Sequence, residues 1–252
     1  MAPGSPAPHT TRSQLNRSGG IVRLSGFPNS TVRVMLADDH QQTRAGLRRQ
    51  LERHERIVVV GEAADGRDVL RLIEQVTLDV LLLDIEMKPM SGLDAMKQLS
   101  KMAPPFETLG LSNYSDPTYI FEMLAYGVAG YLSKEDPIDV IVEAIYQVAG
   151  GKRCQLSPSL WTTLKQNAVS HPDLSFPPRI MKQARDVICL VAAGYPNGHI
   201  AEHLKMPVRH VEEVLIQVCD ALAFRDRAEV VAWAWAQGLL TPPPTCVPNP
   251  HE

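Results

Sequence analysis

Residues 79–96 read DVLLLDIEMKPMSGLDAM, and the opening of this stretch decides the fold. The run 79–83 is rich in Leu and Val and too short for a helix, so it reads as a buried strand. It stops at an acid, Asp84. Outward from it, four more runs share this character: 32–37 (VRVMLA), 57–61 (IVVVG), 108–111 (TLGL) and 130–132 (GYL). Amphipathic stretches lie between and after them. Val140, Ile141, Ala144, Ile145 and Val148, for instance, recur on one helical face. Five such β–α units in residues 32–151 predict an α/β domain, a doubly wound five-stranded parallel sheet with helices on both faces.

The chain changes character on either side of this domain. Residues 152–178 contain SPS, HPD and FPP, lose clear periodicity and read as a linker. No strand pattern follows. Residues 179–193, 197–205, 208–222 and 228–237 read as four short helices, so residues 179–241 form an all-α domain. Gly194 stands where the first of these should end, as a left-handed C-cap. Residues 1–31 are rich in Pro, Ser, Gly and Thr and hold no acid, and residues 242–252 are Pro-rich. Both ends read as flexible tails that cannot offset their own ordering entropy.

Composition narrows the function. Over 252 residues, 44% are hydrophobic and 21% charged, an ordinary globular balance able to fill a sizeable core. No apolar run approaches the roughly 20 residues needed to span a bilayer, and the first thirty residues lack the apolar stretch of a secretory signal. Cys154, Cys189, Cys219 and Cys246 are widely spaced, with no C-x-x-C pair. They read as reduced thiols of a cytoplasmic protein. A net charge of −3 argues against bulk electrostatic attachment to nucleic acid.

In an open parallel sheet, ligands bind beyond the carboxyl ends of the strands. Here those ends carry Asp38 and Asp39, Asp84, Ser112 and Lys134. Three clustered carboxylates repel one another unless a cation joins them, and a hard divalent ion such as Mg²⁺ suits oxygen ligands. A carboxylate beside such an ion can act as nucleophile towards a phosphoryl group, with the metal and lysine stabilising charge on its oxygens.

DDH at 38–40, LLLDIEMKPMSGLDAM at 81–96, LS at 111–112 and GYLSK at 130–134 together resemble the receiver domain of two-component response regulators. The resemblance implies that Asp84 accepts a phosphoryl group from a histidine kinase. It further implies that Asp39, Asp84 and the backbone carbonyl of Glu86 ligate Mg²⁺, with Asp38 acting through water. Ser112 would bond the phosphoryl, Lys134 would pair with it, and Tyr131 matches the switch aromatic, expected to rotate inward on phosphorylation. One departure stands out. The family usually has Pro directly after the Met of the acceptor loop, whereas Lys88 follows Met87 here and Pro89 comes next.

Residues 179–240 resemble the LuxR-type helix-turn-helix domain, which makes the whole chain similar to the NarL/FixJ class of response regulators. The scaffold positions Val187, Ile188, Gly194, Asn197, Ile200, Ala201, Leu204, Val211, Val218 and Leu222 carry that likeness. In the family the second helix of the motif enters the major groove of DNA. Here the matching positions read His210, Val211, Glu212 and Val214. Glu212 replaces a lysine and Glu213 lies beside it. The domain has seven Lys/Arg against seven Asp/Glu, whereas DNA affinity rests on cations that neutralise phosphates. Arg209, His210, Val211 and Arg225 remain as candidate DNA contacts. Two readings stay open: a DNA-binding transcriptional output, or a protein-binding module that has lost DNA. Both describe a regulator and not an enzyme.

The family's Thr or Ser N-caps are replaced by Met181, Pro196 and Pro207, which predicts shifted helix boundaries or a softer domain. Trp233 and Trp235, two apart, are expected to divide between the core and the surface of a homodimer. His199, Glu202 and His203 spell H-x-x-E-H, a zinc peptidase pattern. It lies within a scaffold helix without an evident third ligand, and reads as solvated surface.

Overall fold

The computed structural model describes residues 31–102, 104–113, 116–157, 160 and 178–240. The expected tails, except Thr31, and most of the expected linker lie outside the described residues. Strands β1 (Val32–Ala37), β2 (Ile57–Ala63), β3 (Val80–Asp84), β4 (Glu107–Ser112) and β5 (Gly130–Ser133) alternate with helices. These are α1 (Gln41–Leu51), α2 (Gly66–Leu72), α3 (Gly92–Met102), α4 (Pro117–Ala125) and α5 (Ile138–Ala149). Every pairing is parallel. The order β2-β1-β3-β4-β5 reverses direction beside β1, which places the ligand crevice above β1 and β3.

Alternation along the strands builds two cores. Val34, Leu36, Val80, Leu82, Leu109 and Leu111 face α1 and α5. Met35, Ala37, Leu81, Leu83 and Tyr131 face the opposite side, with α2, α3 and α4. Because the side-chain period of a strand is two, Leu83 and Leu82 cannot share a layer. Local chemistry starts the helices: Asp65 accepts N–H bonds from Arg67 and Asp68 at 2.7 and 2.9 Å, and Asp116 caps α4 through Thr118 N at 2.9 Å.

The sheet has one strand more than the sequence pattern indicates. Gln155 and Leu156 form β6, paired with Gly130 and Tyr131 of β5. Cys154 to Ser157 are buried, so the stretch expected to open the linker belongs to the sheet. A strand of two residues is too short for periodicity to register. It forms because the free edge of β5 offers backbone groups that need partners.

Helices α6 (Pro178–Ala192), α7 (Asn197–Leu204), α8 (Val208–Leu222) and α9 (Arg227–Ala236) make the second domain. Gly194 closes α6 at φ +80°, with Gly194 N donating to Val191 O and Tyr195 N to Leu190 O, each at 2.9 Å. This is the Schellman arrangement expected of it. Pro196 and Pro207 are themselves the N-caps of α7 and α8, at φ −70° and −63°, without a side-chain bond. Their fixed φ suits the entry to a helix, so these two boundaries do not shift. Only α6 starts early, at Pro178, with Met181 inside it.

The expected division of the tryptophans is corrected by the packing. Both Trp233 and Trp235 are buried, because α9 is covered on two sides. It packs against α6 and α8 of its own domain and against α4 of the first domain. Trp235 Nε1 donates to Ala192 O at 3.2 Å. One apolar cluster therefore runs from Tyr131 and Leu124 through to Val187, Val191, Val230 and Trp233.

Arg153 rivets this joint. Its guanidinium, 2% exposed, meets the Glu107 carboxylate and Gly127 O of the first domain. It also donates to Gly194 O of the second at 2.5 Å and lies 5.2 Å from the Tyr195 ring centre. Gly194 comes so close to the first domain that a Cβ there would lie 2.2 Å from Val128 O.

Candidate functional site

The site forms where four strands end on the same rim. Asp38 follows β1, Asp84 closes β3, Ser112 closes β4 and Lys134 follows β5. Parallel register keeps them level, since Asp84 pairs with Leu111 and Ser112 with Ser133. Lys134 Nζ donates to Asp38 Oδ2 and to Asp84 Oδ2, both at 2.7 Å. All three side chains are at least 88% covered, with exposures of 12%, 7% and 5% in that order.

Burial and charge shape these groups in opposite directions. Burial pushes the Asp84 carboxyl above the usual carboxylate range, although Lys134 opposes it. Burial works to lower the Lys134 ammonium, but its bonds to Asp38 and Asp84 outweigh that and hold it above its ordinary value. Such opposed environments are typical of reactive sites. Around Asp84 the chain turns sharply, and Gly92 N donates to Ile85 O at 2.9 Å. A Cβ on Gly92 would lie 1.9 Å from Asp84 O, so only glycine lets the loop fold back. The Lys88–Pro89 peptide in this loop is cis.

Ser112 is buried beside Tyr131, and the two side chains share a hydrogen bond. Tyr131 has no exposed surface, and burial pushes its phenol up to about 12. The sequence reading has this ring turn inward only on phosphorylation. Here it is already inside, because the apolar cluster beneath α4 encloses it. Ser157 N of the β6 edge donates to Tyr131 O at 3.3 Å. Glu86 is exposed, and its N–H lies 3.4 Å from Asp84 Oδ1.

A cation suits this rim. The ligand atoms of Asp38, Asp39, His40 and Asp84 all lie within 4.8 Å of one another. Lys134 brings one positive charge to three carboxylates, and Asp39 Oδ1, shielded from solvent, has the His40 imidazole Nδ1 at 2.7 Å beside it. The residues therefore fit a bound divalent ion. The sequence reading did not include His40, although it directly follows the acid pair. It also passed over Arg44, which donates to Asp38 O at 2.6 Å and pairs with Glu62 at 3.0 Å.

The candidate DNA contacts do not form one cationic surface. Val211 is fully buried and fills the core between helices, so it is removed from the candidates. Arg209 is exposed but bonds Glu213 at 3.0 Å, and His210 lies against Gln183 and Glu213. Arg225 pairs with Glu229 at 2.5 Å. Glu212 lines an interdomain cleft of about 540 Å³ together with Lys101 and Arg227. Arg227 holds the helix-turn-helix internally, donating to Asn197 Oδ1 and Tyr195 O at 2.6 Å. No helix among the described residues is long and apolar enough to cross a membrane.

Comparison with known proteins agrees with this geometry. The response regulator receiver domain family matches residues 34–146. Oxygen regulatory protein NreC of Staphylococcus haemolyticus is 32% identical over 216 residues, covering 83% of this chain and 99% of that protein. Transcriptional regulatory protein LiaR of Bacillus subtilis is 28% identical over 215 residues, with the same coverage. Among solved structures, a LuxR-family two-component response regulator from Aurantimonas is similar at 28% identity and TM-score 0.53. That match covers 56% of this chain and all of the other. RcsB of Salmonella typhimurium shares the fold over 81% of this chain, at 22% identity and TM-score 0.52.

Proposed function

This chain belongs to the receiver-domain response regulators of two-component systems, and on that premise we propose that Asp84 carries the phosphoryl group that controls its action on transcription. The observation that carries this reading is the Lys134 ammonium at 2.7 Å from both Asp38 and Asp84, beside Ser112. A divalent ion such as Mg²⁺, held by Asp39, Asp84 and the Glu86 carbonyl with Asp38 through water, would screen charge on the phosphoryl oxygens.

The residues of the chain do the rest. An Asp84 carboxylate oxygen attacks phosphorus of a phosphohistidine on a histidine kinase. The new O–P bond forms as the N–P bond breaks and the imidazole leaves. Lys134 moves from the carboxylate to the incoming oxygens, and Ser112 donates its hydroxyl to one of them. Drawing Ser112 towards the phosphoryl group breaks its bond with Tyr131 or carries the ring along. Tyr131 belongs to the cluster that seats α4 against α6 and α9, so that displacement reaches the helix-turn-helix domain. The phosphoryl group biases a two-state joint.

The output is a helix-turn-helix that binds DNA, as a homodimer, with Arg209, His210 and Arg225 able to reach phosphates once their acidic neighbours release them. Support comes from the helical scaffold and from relatives named as transcriptional regulators. The decisive experiment is incubation with acetyl phosphate and Mg²⁺, read by intact mass. Wild-type protein gains one phosphoryl group and Asp84→Asn gains none. Equal labelling of that variant overturns the assignment.

A further inference from the structure

The cleft of about 540 Å³ between the two domains carries four charged side chains, and each domain supplies one of either sign. Lys101, in the last turn of α3, and Glu122 of α4 line one wall. Glu212 of α8 and Arg227 of α9 line the other. Among the described residues none of these four enters an ion pair. Arg227 donates only to neutral acceptors, Asn197 Oδ1 and Tyr195 O, and its Nε is shielded from solvent without a partner. Burial therefore pulls this guanidinium down to about 10, with no carboxylate to hold it up. Asp226 also lines the cleft, but its carboxylate is engaged by Ala228 N and Glu229 N.

Opposite charges on two walls that met would pair directly. These stay apart although the domains touch tightly close by, where Arg153 bonds both and a Cβ on Gly194 would lie 2.2 Å from Val128 O. Arg153 itself lines a smaller hollow that shares Tyr126, Pro196 and Gly198 with the cleft. Packing at the joint thus sets the width of the cleft, and its charges are held in place before anything binds. Solvation accounts for the exposed Lys101 and Glu212 taken singly. It does not account for Arg227, whose Nε is out of reach of water. A cleft of this size suits a small molecule. A simple anion would meet Glu122 and Glu212, and a simple cation would meet Lys101 and Arg227, each at the cost of like-charge repulsion. A molecule with a charge of either sign satisfies both pairs. Tyr126 and Val208, the latter 43% exposed, offer apolar cover to its carbon atoms.

We propose that the interdomain cleft binds a small zwitterion of the amino-acid type, its carboxylate set against Lys101 and Arg227 and its ammonium against Glu122 and Glu212. Such a ligand bridges the two domains. By mass action it stabilises their packed arrangement, which gives the regulator a second input separate from phosphoryl transfer. The site shares no residue with the acidic rim, so it stands or falls independently of the role of Asp84.

The test uses the full chain without added Mg²⁺, and the common amino acids are titrated singly by calorimetry. The proteins are wild type, Lys101→Gln and Glu122→Gln on one wall, and Glu212→Gln on the other. Arg227 is left in place because its bonds hold the second domain together. At least one amino acid binds wild type at a single site and raises its Tm. The N-acetyl and amide derivatives of that amino acid, each lacking one charge, bind about tenfold more weakly or worse. Each of the three variants melts like wild type without ligand and loses about tenfold in affinity. Three results overturn the proposal: no amino acid binds, the derivatives bind as well as their parent, or the loss is confined to variants of one wall.

Discussion

Lys134 is a largely covered cation and Arg153 a buried one, and the two regions they hold differ in how charge is balanced. Lys134 serves two carboxylates with a third nearby, and the rim is left with excess negative charge. Arg153 meets one carboxylate, two carbonyls and an aromatic face. A lysine ammonium is a compact point charge on a flexible stem, and can follow an oxygen that moves. An arginine fork is planar and satisfied in one geometry only. The first arrangement is suited to exchange of partners. The second is suited to holding two surfaces together.

If this contrast is right, removing Arg153 acts on the joint and spares the rim. Arg153→Met leaves Glu107 and two carbonyls without their partner, and breaking a buried pair costs about 3–5 kcal/mol. Urea unfolding should show that loss, small-angle scattering should show the domains parting, and Mg²⁺-dependent labelling of Asp84 should persist. Labelling lost in parallel would mean that the two regions are not separable.

Gly194→Ala sharpens the same comparison from the other side of the joint. It combines a positive φ with a Cβ 2.2 Å from Val128 O, and should cost about 2–3 kcal/mol. Thermal melts would record it, and a fall below about 1 kcal/mol would mean that this contact yields easily. Glu212→Lys moves charge in the cleft without altering packing. Generic DNA binding at low salt should tighten by about tenfold and become more salt-dependent. No gain would place this helix away from phosphate. The smallest effect belongs to a cap. Asp226 accepts from Ala228 N and Glu229 N at 2.9 and 3.1 Å, so Asp226→Ala should cost about 1 kcal/mol. A second domain unaffected by that loss would mean its helices are set by packing alone.

The rim was far more legible than the joint. Asp38, Asp39, Asp84, Ser112 and Lys134 each end or follow a strand of strong β character, so strand period and parallel register alone bring them to one rim. The helix starts at Pro196 and Pro207 were misjudged, because the loss of a capping side chain suggested a shift that the fixed φ of proline prevents. His40 was visible beside the acid pair, but its 2.7 Å contact with Asp39 depends on how α1 begins in the folded chain. Val211 shows the opposite failure. Alignment with a DNA-reading helix suggested contact, whereas helical phase turned it into the core.

Sequence alone determined the parallel α/β sheet, the all-α second domain and the acidic constellation, because each follows from local periodicity and from what strand ends must present. Tertiary structure alone decided the sixth strand, the burial of both tryptophans and the Arg153 joint. Those features depend on surfaces far apart in the chain meeting one another. A pair of residues at a sheet edge, or a lone arginine, carries no periodic signal until its partners are in place.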